Sequence, residues 1–177
     1  MGAKFITAAA ASLLALPVLA AVTEPAGLNP RLRASIDEEP AFVLSGKGEQ
    51  VFECRPRIAD PNAFDWIFVR PDATLYDGSS SVGRLATANV WESASDRTSV
   101  SGLIRATQPG GADNLPWAIL RAWPSGDTGM FAGVTSIQRV NTNGGIAPAT
   151  GCDDTHAGSE TRVAFSADYY FYKRRGK

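Results

Sequence analysis

The chain contains one histidine, His156, set in Cys152-Asp153-Asp154-Thr155-His156. An imidazole beside carboxylates can serve acid–base or metal chemistry. A serine hydrolase would need a nucleophile aimed at that ring, yet no Gly-x-Ser-x-Gly elbow occurs and nothing selects a serine. Asp153, Asp154 and His156 form a weak divalent-ion set at most, and no metal or other cofactor is expected. A solvated polar loop is the plainer reading. Glycoside hydrolysis would use two carboxylates at a defined separation. Asp65, Asp72, Glu92, Glu160 and Asp168 are available, but the sequence does not fix how far apart they stand. No catalytic residue is assigned.

A second constellation lies in an otherwise apolar segment, where Gln138, Arg139 and Asn141 occur together. Their side chains must meet partners or face water, because an unpaired buried polar group costs about 1–3 kcal/mol. One reading is a polar network that fixes strand register or the loop over 141–151. The other is the polar floor of a pocket shared with Trp91 and Glu92. Those five residues are the candidate ligand site. Trp66, Trp91, Trp117, Trp123 and Tyr169-Tyr170-Phe171-Tyr172 offer aromatic surface that suits sugars or flat ligands. Core packing uses the same residues. Alternation along the last segment puts Asp168, Tyr170 and Tyr172 on one face and Ala167, Tyr169 and Phe171 on the other. One face then belongs to the core, and the other meets a loop, a neighbour or a ligand.

The scaffold that must position these residues is bounded by composition. A formal net charge of −1 over 177 residues gives no broad attraction to nucleic acid. Lys4, the apolar run Phe5 to Leu16, and Pro17 followed by small residues to Ala21 read as a signal peptide over 1–20, cut after Ala20. The run is shorter than the ~20 residues that span a bilayer. Export to the periplasm or the outside medium is expected, with no membrane span. In such an oxidising compartment Cys54 and Cys152, the only two cysteines, are expected to bridge. That closure of about 100 residues is worth ~4.7 kcal/mol on the chain-entropy model.

Residues 21–40, with Pro25, Pro30 and Pro40, read as an extended lead-in, with at best a short helical turn over 35–39. Residues 41–177 read as a single all-β domain. Short apolar segments separated by Gly, Pro, Asp and Asn predict strands at 42–44, 50–54, 66–69, 73–76, 82–86, 100–107, 117–123, 130–140 and 162–172. Asp77-Gly78, the stretch 124–129 and Asn143-Gly144-Gly145 predict tight turns. The fold class expected is all-β: an antiparallel β-sandwich, or a closed or flattened β-barrel, of about eight or nine short strands with long loops.

Several stretches carry a family resemblance. They are Gly48-Glu49-Gln50-Val51-Phe52-Glu53-Cys54, Pro71 to Gly78, Trp91-Glu92 and Leu115-Pro116-Trp117. They continue with Gly133-Val134, Ile137 to Thr142, Gly144-Gly145, Ala147-Pro148, Gly151-Cys152 and Ala167 to Tyr172. In this order they resemble domain of unknown function (DUF) family 3455, small secreted proteins of bacteria and fungi. The resemblance covers about residues 40 to 172 and implies no defined activity. Some fungal relatives carry a malate dehydrogenase label, but this sequence has no strand–Gly-x-Gly-x-x-Gly–helix unit for a dinucleotide. Relatives often show a His followed by Gly-Pro-Thr-Trp where this chain has Leu85 to Trp91, so a function using that His does not transfer.

The function expected is therefore binding, with a carbohydrate or another cell-surface or small ligand as partner and no nucleic acid. The rivals are a secreted hydrolase using His156 or a carboxylate pair, and a structural or interaction protein without a small ligand. Oligomeric state is left open.

Overall fold

The computed structural model describes residues 22–176, so the leader assigned to residues 1–20 lies outside the described residues. Eight strands follow one another: β1 (Glu38–Pro56), β2 (Phe64–Asp77), β3 (Ser80–Thr87), β4 (Val90–Ser93), β5 (Ser99–Gln108), β6 (Trp117–Pro124), β7 (Val134–Gly144) and β8 (Glu160–Arg174). Each pairs antiparallel with the next, and β8 pairs back onto β1, closing the single sheet into a barrel. The all-β expectation holds, and of the two architectures it is the barrel. The segments 42–44 and 50–54 are one strand, as are 66–69 and 73–76. The glycines between the first pair permit close approach and do not form a turn. A Cβ on Gly46 would stand 2.7 Å from the Tyr169 ring, and one on Gly48 would stand 2.5 Å from Ala73 Cα.

Alternation sends every second side chain inward. All eight strands contribute to one core, among them Leu44, Leu75, Leu85, Trp91, Val100, Leu120, Ile137 and Phe171. One end of the barrel is plugged. Phe42 stacks on Phe171 at 4.7 Å, and Phe131, from the β6–β7 connection, lies 5.4 Å from the same ring. Trp91 meets Tyr169 edge-on at 5.3 Å, beneath the other end.

The lead-in is packed against the sheet. Residues 22–37 cross the outside of the barrel, where Leu28 and Leu32 bury against Ile119 and Val140, beside Trp117 and Tyr170. A 3-10 turn forms at Pro30–Leu32, ahead of the place expected for it, because the Asn29 side chain accepts from Arg31 N and Pro30 suits a first helical position. Glu38 to Pro40 already belong to β1. The second aromatic face of β8 is thus covered by this strap: Tyr172 is buried and Tyr170 half-buried beneath it.

The outer face elsewhere carries ion pairs. Arg162 bridges Glu49 and Asp72, Arg70 holds Glu160, and Arg84 holds Glu92. No helix among the described residues is long and apolar enough to cross a membrane. The Cys54–Cys152 disulfide is formed, with a Cα–Cα distance of 5.4 Å. It ties the β7–β8 connection to β1, and Trp66 Nε1 donates to Thr150 O of the same connection at 3.0 Å.

Candidate functional site

The end of the barrel opposite the phenylalanine plug is open, and a cavity of about 310 Å³ enters it. Its walls come from six of the eight strands and the loops between them. β1 and β2 supply Gln50, Phe52, Phe68 and Pro71, β3 supplies Leu85, and the β3–β4 turn supplies Ala88 and Asn89. Ile104, Leu115 and the segment 145–147 complete the rim, with Arg139 and Tyr169 inside. The wall is shaped by its backbone. Asn89 turns the chain at φ 56°, and Gly144 and Gly145 stand at 70° and 89°. These are conformations that Asn and Gly reach at least cost. The opposite rim is fixed to the end of β7: Asn114 Oδ1 accepts from Gly144 N at 2.8 Å, and Thr142 Oγ1 donates to Leu115 O at 2.6 Å.

Arg139 is the one charged residue of the lining among the described residues. In register it lies between Ala118 of β6 and Tyr169 of β8, both inward-facing. Its Nε donates to Pro116 O at 3.0 Å, and it makes no ion pair among the described residues. Burial lowers its pKa, the mark of a cation held where water solvates it poorly, while remaining charged as guanidinium does. Burial also pushes the Tyr169 phenol up to about 12, against the opposing effect of the Arg139 charge, so Tyr169 keeps its proton.

A family model described as "Protein of unknown function (DUF3455)" matches residues 35–99 and 86–173. The chain belongs to the DUF3455 family. The match runs from the end of the strap to the last residues of β8 and so takes in all eight strands. No curated protein and no solved structure matches the chain. In this DUF3455 barrel the stretch Leu85 to Trp91 runs from the end of β3 through the turn at Ala88-Asn89, at the cavity mouth, into β4.

The five residues named as a ligand site do not converge. Trp91 is buried in the core, where its indole N–H has no hydrogen-bond partner among the described residues. Glu92, one residue on, faces outward and pairs with Arg84 at 2.7 Å. Gln138 also faces outward but is fully covered by the strap: its Nε2 donates to Leu32 O at 2.7 Å, and Tyr172 OH donates to its Oε1 at 2.6 Å. Arg139, its neighbour, points inward. Asn141 sits in a bulge at φ 50° and donates to Asp168 Oδ2 at 2.9 Å. Of the five, Arg139 alone lines the cavity. The network reading fits Gln138 and Asn141, and a pocket reading survives around Arg139.

His156 stands elsewhere. It is half-exposed on the β7–β8 connection, with Nδ1 2.7 Å from Asp153 Oδ1 and 3.1 Å from Thr155 Oγ1. Asp153 caps the short 3-10 turn Asp154–His156 by accepting from Thr155 N and His156 N. Hydrogen bonds from the Thr155 hydroxyl, foremost, and from the His156 ring lower the pKa of Asp153 to about 2. Among the described residues no group of three His, Cys, Asp or Glu side chains is placed to hold a metal ion. The carboxylates considered for glycoside hydrolysis are engaged outside the barrel. Asp65 pairs with Arg57, Asp72 with Arg162, Glu92 with Arg84 and Glu160 with Arg70, while Ser45 and Asn141 hydrogen-bond Asp168. None lines the cavity. Sequence reading missed Gln50, Phe52, Phe68, Leu85 and Ile104, which join only when strands far apart in the chain close the ring.

Proposed function

We propose that the protein is an exported binding protein whose open barrel end takes a small, mostly apolar molecule. The observation that carries this reading is the cavity of about 310 Å³, within the range of ligand pockets, whose lining is mainly apolar with a few polar groups. Its mouth adds to the case. Phe68, Ile104 and Ile146 are large apolar side chains left exposed, and all three lie on this rim. Exposed apolar surface gathered around a concavity marks a place where something else buries it. A carbohydrate, with hydroxyl groups on every side, would find few hydrogen-bond partners on such walls.

Titration of isotope-labelled protein with neutral probes, octanol and octanamide, tests the reading by NMR. Amide shifts confined to Leu85, Ile104, Gly145 and Tyr169 are the expected result. Ala88→Trp, at an exposed turn of the mouth, should abolish them while leaving the rest of the spectrum unchanged. Absence of shifts at these residues with neutral and acidic probes alike would overturn the proposal.

A further inference from the structure

Resting on that reading, we propose that the natural ligand is a monocarboxylate with an apolar body, its carboxylate paired with the Arg139 guanidinium inside the barrel. A guanidinium carries five N–H donors and one full charge. In Arg139 only Nε has an acceptor among the described residues, the Pro116 carbonyl. The arginines of the outer wall that face acids are each matched, as Arg162 is by Glu49 and Asp72. Arg139 has no such partner, and among the described residues the cavity that it lines holds no acid. Arg139 is half-buried, and a charge partly withdrawn from water without a counter-charge carries a cost that a bound anion relieves. The planar fork of terminal nitrogens fits a carboxylate in two parallel hydrogen bonds. Tyr169, protonated and in register beside Arg139, offers a further donor. One cation in an otherwise neutral lining matches one negative charge.

The size of the acid follows from the space. About 310 Å³ equals the liquid volume of roughly ten waters at ~30 Å³ each, which suits an acid of about eight carbons. The apolar walls, Phe52, Leu85 and Ile104 among them, would take its tail.

The test compares octanoate, octanamide and octanol, which share a tail and differ in the head group, by calorimetry and by NMR on the oxidised full-length mature protein. Octanoate should bind at least about tenfold more tightly than octanamide, as expected for a charge-assisted pair. Arg139→Gln should erase that preference without weakening octanamide, and Arg139→Lys should keep part of it. Octanamide binding in the cavity as tightly as octanoate would overturn the acid assignment and leave the binding reading standing. Octanoate shifts confined to surface residues would overturn it too. No binding by any of the three would overturn both. Should Arg139→Gln not fold, the comparison of head groups on the unaltered protein decides alone.

Discussion

Replacing both Cys54 and Cys152 by alanine should cost this protein more stability than any single cavity-forming change on its surface. The bridge joins residues 98 apart in sequence. Closing a loop of that length removes unfolded-state entropy equivalent to ~4.7 kcal/mol at 25 °C on the chain-entropy model. For a chain of this length each 1 kcal/mol shifts the melting temperature by roughly 2–4 °C, so the double variant should melt about 10–18 °C lower. Circular dichroism against temperature, on protein whose thiol content has been checked by alkylation and intact mass, reads this directly. The change is not confined to the unfolded state. The bridge fastens the β7–β8 connection, which carries Gly145, Ile146 and Ala147 of the cavity rim, to β1. Hydrogen exchange in residues 145–158 should therefore accelerate more than in β5 or β6. A melting temperature within 3 °C of the parent would refute the reasoning, as would uniform exchange across the barrel.

Tyr172→Phe leaves Gln138 Oε1 buried without its donor, so it should cost about 1–3 kcal/mol in urea unfolding; a loss under 0.5 kcal/mol would show that the strap does not depend on this bond. Gly48→Ala forces a methyl onto the Ala73 backbone and should cost about 1–3 kcal/mol, whereas Gly126→Ala, with open space around it, should be nearly neutral. Equal effects at the two sites would be the wrong outcome. Asp153 has a folded pKa of about 2 against 3.8 ordinarily. Its contribution to the capped turn is fully present above pH 4 and fades as pH falls through about 2. A carboxyl titration by NMR with a midpoint at or above 3.8 would contradict this.

Much of the fold was legible because the signals involved are local. Two cysteines permit one intramolecular bridge, and alternation in Ala167-Asp168-Tyr169-Tyr170-Phe171-Tyr172 assigned both faces of β8 correctly. The tight turn expected at Asn143-Gly144-Gly145 is not there: Asn143 and Gly144 still pair with β8 and Gly145 bridges to Asn114, the two glycines using their positive φ to lead the chain out of β7. The candidate site was less legible. Adjacent strand residues point to opposite faces, so Trp91 with Glu92, and Gln138 with Arg139, could never share a wall. That much was available in the sequence. The strap was hidden because Leu28 and Leu32 are isolated apolar residues in a proline-rich stretch, and only β6, β7 and β8 assembled beneath give them something to bury against. The cavity was invisible for the same reason: Gln50, Leu85, Arg139 and Tyr169 come from four strands. Which register brings them level depends on bulges such as those at Val51-Phe52 and Val140–Asn143.

The seam between the first and last strands has a kinetic meaning. Glu38 meets Arg174 and Glu53 meets Glu160, contacts that span nearly the whole domain, and Arg175 N donates to Asp37 O at 2.8 Å just beyond. Pairings of such sequence separation form late and slowly, because the chain must surrender its freedom before the contact rewards it. A chain lacking β8 would present two unpaired strand edges, β1 and β7, in place of a ring. Barrel closure thus waits for β8. Truncation from the carboxyl end should convert a self-contained protein into one whose bare edges recruit other strands, and solubility would report that change before any spectroscopic loss of strand content.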